Sequence, residues 1–289
     1  MSGDAPTSQQ QALLRAVCER PDEDGPRLQY AAWLDATGDP NHAARAEFIR
    51  VQCQLAHIQT GSEWGKLRER EEPLKSHRDR WAGELPSFEG VRWNSIGFRR
   101  GFVWEIWCDD AEAFRRHAAA IFAAAPIQGL SFRRLRALKP VVEVPEFSRI
   151  RRLILQDLRL GPADARALAV SPNASNLTAL HLSRNRFGDA GAKALAASPH
   201  LRHLDNLDLG HNGIGDKGAA ALAGSPVVAS LSHLGLGGNP LTNIGAAALA
   251  SSPYLSRITG MTLWECMKIG PQGKQALKAR FGDAASFCD

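Results

Sequence analysis

The stretch Leu204–Pro226 reads LDNLDLGHNGIGDKGAAALAGSP, and nearly the same wording occurs 27 residues earlier and 27 residues later. Leu177, Leu180, Leu182, Asn185 and Phe187 hold the slots of Leu204, Leu207, Leu209, Asn212 and Ile214. Leu231, Leu234, Leu236, Asn239 and Leu241 hold them again. One unit back, Ile150, Leu153, Leu155, Leu158 and Leu160 keep the apolar slots, with Leu in place of Asn. One unit forward, Ile258, Met261, Leu263 and Cys266 keep the start, and Ile269 arrives one residue late. A unit this short cannot bury its own apolar face, so the units must stack.

Each slot has a physical job. The L-x-L alternation predicts a short strand with one face buried. The Asn suits the bend that follows, where backbone groups need partners. Gly188, Asp189 and Gly191 suit a turn and a helix N-cap. Ala192–Ala197 is a strong helix former, and Ser198–Pro199, Ser225–Pro226 and Ser252–Pro253 end the helices. The pattern L-x-x-L-x-L-x-x-N/C-x-L identifies leucine-rich repeats. With 27-residue units and G-D-x-G-A-x-A-L-A helices, the stretch resembles the ribonuclease-inhibitor-like subclass. That resemblance implies an α/β solenoid with a parallel sheet inside the curve, helices outside, and a protein-binding concave face.

Further strands are expected at Phe102–Trp107 and Ile127–Phe132, with a helix over Asp109–Ala125 between them. Arg133–Ser148 breaks the pattern with Pro140 and Pro145 and predicts an irregular unit lacking a proper helix. Arg92–Gly101 predicts a degenerate capping strand, and Gly270–Phe281 a closing helix of polar character. The first ninety residues are different: acidic on balance, and helical in periodicity, with a turn at Gly38–Asp39–Pro40. RLQYAAWLDATGDP followed by ARAEFIRVQCQLA resembles the repeat-companion domain found beside leucine-rich repeats in some bacteria with large genomes. Ala32 stands where that family usually has Asp, and Asp35 where Glu is common. The resemblance implies no established activity. The expected organisation is a disordered tail (1–8), a helical companion domain (9–90), irregular first repeats or a cap (91–149), and regular repeats with a C-terminal cap (150–289).

The opening MSGDAPTS has neither the basic nor the apolar region of a signal peptide, and no stretch reaches the length of a membrane span. The five cysteines are widely spaced with no C-x-x-C, so a reduced, cytoplasmic setting is expected and no metal or cofactor is implied.

The x positions of the strands point to the concave face. The residues expected to meet a partner there are Glu105, Trp107, Arg133, Gln156, His181, Ser183, Asp208, Thr262 and Trp264, with Gly210, Gly235 and Gly237 leaving room for close approach. The reading adopted is a non-enzymatic scaffold for an unidentified protein partner. A second reading is a nucleic-acid-associated or anionic-partner adaptor using the basic region from Arg133 to Arg152. A third is a hydrolase at His181, Ser183 and Asp208. It requires a hydrogen bond between strand residues i and i+2, whose Cα atoms lie nearly 7 Å apart.

Overall fold

The computed structural model describes residues 8–287 and divides the chain into two compact units. The first runs through Trp107 and takes in Arg116–Gln128; the second takes Cys108–Arg115 and Gly129 onward. Of the expected tail, all but Ser8 lies outside the described residues.

The first unit begins with five helices: α1 (Ser8–Glu19), α2 (Asp24–Ala36), α3 (Pro40–Leu55), α4 (Ser62–Leu74) and α5 (Arg78–Gly83). Short strands follow: β1 (Val91–Trp93), β2 (Phe98–Arg99), β3 (Phe102–Val103) and β4 (Glu105–Cys108), then helix α6 (Ala111–Ala124). The unit therefore continues past residue 90, and the reason is packing. Phe102 on β3 joins Val17, Tyr30, Leu34, Ile49 and Cys53 in one core, with the Tyr30 and Phe102 rings edge to face at 5.4 Å. At Gly101 (φ 83) the chain passes so close to α3 that a Cβ would lie 2.3 Å from Ile49 Cγ1. Only Gly fits both that conformation and that approach.

The RLQYAAWLDATGDP stretch does structural work here. Arg27 is buried, donates from Nη2 to the Pro21 carbonyl at 2.6 Å and lies over the Phe102 ring. Burial lowers its guanidinium to about 10, still charged at neutral pH. Asp35 pairs with Arg50, and Asp39 caps α3 by accepting from Asn41 N at 2.7 Å. Ala32, at the departure from the companion-domain pattern, lines a shallow groove with Leu13, Trp33 and Thr37.

The second unit alternates strands and helices: β5 (Gly129–Phe132), α7 (Lys139–Val142), β6 (Arg152–Ile154), α8 (Pro162–Val170), β7 (Ala179–His181), α9 (Gly188–Ala196), β8 (Asn206–Asp208), α10 (Asp216–Ala223), β9 (His233–Gly235), α11 (Asn243–Ala250), β10 (Gly260–Thr262), α12 (Pro271–Phe281) and β11 (Ala285–Ser286). Strands β5 to β11 lie in chain order, each parallel to the next. The register runs Leu130, Leu153, Leu180, Leu207, Leu234, Met261 and Ala285. These form a core column, fully or almost fully buried. β11, past the expected closing helix, is a strand that the repeat pattern did not predict. In the irregular stretch after β5, α7 has a single turn and Pro145–Arg149 is 3-10. Two prolines and the lack of an Ala-rich run leave no longer helix to form.

Three side-chain ladders tie one repeat to the next. Asn185, Asn212 and Asn239 are buried. Asn212 Nδ2 donates to the carbonyls of Leu182, Leu209 and Gly210, and its Oδ1 accepts from Phe187 N. Cys266 takes the same slot, its thiol donating to the Leu236 carbonyl at 3.3 Å. At the helix ends, Ser171, Ser198, Ser225 and Ser252 each donate Oγ to a carbonyl of the preceding repeat. The third ladder corrects a sequence expectation. The Asp of G-D-x-G was expected to cap its own helix; instead it caps the next one. Asp189 Oδ1 accepts from Gly215 N and Gly218 N, and Asp216 Oδ1 from Thr242 N and Gly245 N. Asn243 does the same for Gly270 N and Gly273 N. The second Gly of the motif is thereby explained, because Cβ atoms at Gly218, Gly245 and Gly273 would stand 2.7, 2.5 and 2.6 Å from those same oxygens.

Candidate functional site: the open face of the repeat sheet

With the leucine column turned to the helices, the alternate side chains of β6 to β10 face the other way. His181 and Asp208 are register partners on β7 and β8, and Thr262 pairs with Gly235. Ile154, His181, Asp208 and Thr262 are half-buried, and Gln156, Arg133 and Trp264 are exposed. Trp264 retains 50% of its surface and so is not turned beneath α12. The second unit brings Arg133, Gln156, His181, Ser183, Asp208, Thr262 and Trp264 onto strands of one sheet or the turns at their ends.

Glu105 and Trp107 belong to the first unit. Glu105 is buried, and its Oε1 accepts from Asn94 Nδ2 at 3.0 Å and Trp107 Nε1 at 3.3 Å. Its strand position points outward in the alternation, but Asn94 from the adjoining turn covers it. Glu105 holds the Trp107 indole in place rather than offering a surface, while Trp107 itself is 52% exposed.

The glycines do not form an empty strip. Asp208 leans over Gly235, where a Cβ would lie 2.7 Å from its Oδ1. His233 covers Gly260 in the same way, and the His211 ring stands where a Cβ on Gly238 would lie. Of the room that the sequence assigned to a partner, the Asp208 side chain takes that over Gly235 and the Trp264 carbonyl that beside Gly237.

His181, Ser183 and Asp208 share the face without forming a relay. Arg152 Nε donates to His181 Nε2 at 3.4 Å, and Asp208 Oδ1 accepts from Gly210 N at 3.0 Å. Among the described residues, Ser183 Oγ makes no hydrogen bond to His181. The buried thiols are not poised nucleophiles. Burial, then the Asp24 carboxylate, pushes Cys53 up to about 12; burial, then Asp109 and Asp110, does the same to Cys108. Among the described residues no group of three or more His, Cys, Asp and Glu could hold a metal ion, and no helix is long and apolar enough to cross a membrane.

The basic region from Arg133 to Arg152 comes apart in three dimensions. Arg133, Arg134 and Arg136 follow β5, at the C-terminal ends of the strands. Arg149 and Arg151 precede β6 and Arg152 opens it, at the opposite ends. Arginines missed in the sequence reading join the first group: Arg159 after β6, and Arg184 and Arg186 after β7. The signal was present, since Arg159 and Arg186 stand 27 residues apart in the same repeat slot.

A family model described as Leucine Rich repeat matches residues 173–196 and 197–223. Together with the parallel sheet, this shows that the chain contains leucine-rich repeats. No curated protein matches the chain. Among solved structures it is similar to an internalin (inlF) from Listeria monocytogenes str. 4b F2365, at 22% identity and a TM-score of 0.40, over 57% of this chain and 42% of that one. The chain thus spans less than half the length of that protein.

Proposed function

We propose that the protein is a non-enzymatic, cytoplasmic scaffold for protein–protein interaction. In this reading the repeats form a solenoid of 27-residue β-α units, and the N-terminal helices are a repeat-companion domain. The observation that carries the reading is the division of the sheet into two faces. One face is a buried leucine column; the other is left open, with His181 and Asp208 on hydrogen-bonded strands and Gln156 and the half-exposed Trp264 in the turns that follow β6 and β10. Side chains fixed on a sheet lose little entropy on binding, and exposed Trp is a common anchor of interfaces. Leucine-rich repeats are themselves commonly protein-binding modules.

The test is affinity purification from the native host with the wild-type chain and folded variants, followed by mass spectrometry. Trp264→Ala and the pair His181→Ala, Asp208→Ala should release the captured partner. Lys193→Ala, Lys217→Ala on the helix side should retain it. The reverse ranking would move the binding site to the helices.

A further inference from the structure

The loops that leave the C-terminal ends of β5, β6 and β7 carry Arg133, Arg134, Arg136, Arg159, Arg184 and Arg186. All six are exposed. Among the described residues, none of their guanidinium groups forms an ion pair or a hydrogen bond. Neighbouring parallel strands stand roughly 5 Å apart, so Arg159 and Arg186, in one slot of consecutive repeats, sit side by side. Like charges so close oppose one another and call for an anion between them.

Two of these arginines hold an unusual backbone. Arg159 has φ 57 and Arg184 φ 59, in the left-handed region. The slot of Arg184 is left-handed in every repeat from Asp157 to Glu265, and Gly238 fills it without strain. The chain carries a long cationic side chain where Gly would suffice.

We infer that this arginine rim is a binding site for an acidic peptide segment of a partner protein. Guanidinium is a planar fork that grips carboxylates in pairs, and the rim uses arginine throughout, with no lysine among the six. The patch is short. Beyond it the next two repeats place His211, Gly213, Gly238 and Pro240 in the corresponding slots, and the loop before it carries Asp109 and Asp110. Asp157 stands within it. A nucleic-acid track needs a longer run of phosphate contacts and, for single strands, aromatic rings for stacking; the rim slots carry neither. A short run of carboxylates matches its length of about two strand spacings, roughly 10 Å. The inference rests on the reading of the second unit as a protein-binding module, but uses the strand-end rim instead of the open face.

The test is fluorescence anisotropy of a short labelled oligoglutamate peptide with the full chain at low salt. Wild type should bind, with affinity falling steeply as salt rises. Arg136→Ala, Arg159→Ala, Arg186→Ala together should weaken binding by about tenfold or more. The matching Arg→Lys variant should fall between the two, since it keeps charge and loses the fork. Trp264→Ala should bind the peptide as wild type does. If the triple variant loses its circular dichroism signature, Arg159→Ala and Arg186→Ala titrated singly take its place. Unchanged affinity in the alanine variants would overturn the inference. So would tighter binding of single- or double-stranded DNA of equal charge, which would assign the rim to nucleic acid. Retention of a native partner by the rim variant but not by Trp264→Ala would leave the open-face reading standing while this one falls.

Discussion

Replacing Asp216 with Ala should destabilise a helix that Asp216 does not belong to. Its Oδ1 accepts from Thr242 N at 2.8 Å and Gly245 N at 2.9 Å, and its Oδ2 from Thr242 Oγ1 at 2.7 Å. Thr242 and Gly245 lie at the start of α11, in the next repeat. Loss of an N-cap costs about 0.5–2 kcal/mol. A carboxylate bonded to two amides and a hydroxyl belongs at the upper end, so the expected loss is about 2 kcal/mol in a urea melt. Asp216→Asn should lose less than about 1 kcal/mol, because Asn243 performs the same task one repeat on. Hydrogen exchange should locate the damage at the amides of Thr242 and Gly245. The close approach supplies an internal control. Gly245→Ala pushes a Cβ to 2.5 Å from Asp216 Oδ1, so it should destabilise wild type more than it destabilises Asp216→Ala, giving a non-additive cycle. The pH dependence has a definite sign. Burial alone would raise the Asp216 carboxyl, but hydrogen bonds from Thr242 and Gly245 hold it below the ordinary carboxylate range. Its stabilisation is therefore complete above the unfolded carboxylate's pKa and is lost as pH falls through the depressed native value. Asp216→Asn should lack that acid-sensitive component. An Asp216→Ala loss under about 0.5 kcal/mol, or an additive cycle, would refute capping across repeats.

Two further outcomes follow from burial. Leu207→Ala, in the column between Leu180 and Leu234, should cost about 2–5 kcal/mol in a reversible denaturant melt, and a change below about 0.5 kcal/mol would contradict the register. Cys53 and Cys108, both pushed up to about 12, should resist alkylation by iodoacetamide at pH 8 in native protein and react promptly once urea unfolds the chain; equal rates in the two states would place the thiols at the surface.

The leucine ladder and the side of each strand that it buries were legible in the sequence, because a 27-residue spacing and an L-x-L alternation leave one stacking register that hides Leu153, Leu180, Leu207 and Leu234 together. The bends were legible for a similar reason: a buried Asn must find partners, and the carbonyls of its own and the preceding strand are within reach. The direction of the Asp cap was not legible. Capping its own helix or the next one needs the same residue at the same spacing, and only the offset between adjacent helices selects the second. The same limit applied to the candidate site. Alternation placed Glu105 on the outward side of its strand, but the turn carrying Asn94 covers it. The slots of Gly235 and Gly237 read as open, but Asp208 leans over the first and the Trp264 carbonyl stands close to the second. The basic region read as one group because its residues are close along the chain. The return through α7 and Pro145–Arg149 carries the chain from the C-terminal end of β5 to the N-terminal end of β6 and so parts the region, and stacking then gathers Arg136, Arg159 and Arg186 at one side. Sequence periodicity determines which residues share a column. Only the packed repeats decide which neighbour a side chain meets, since that depends on distances of a few ångströms between units far apart in the chain.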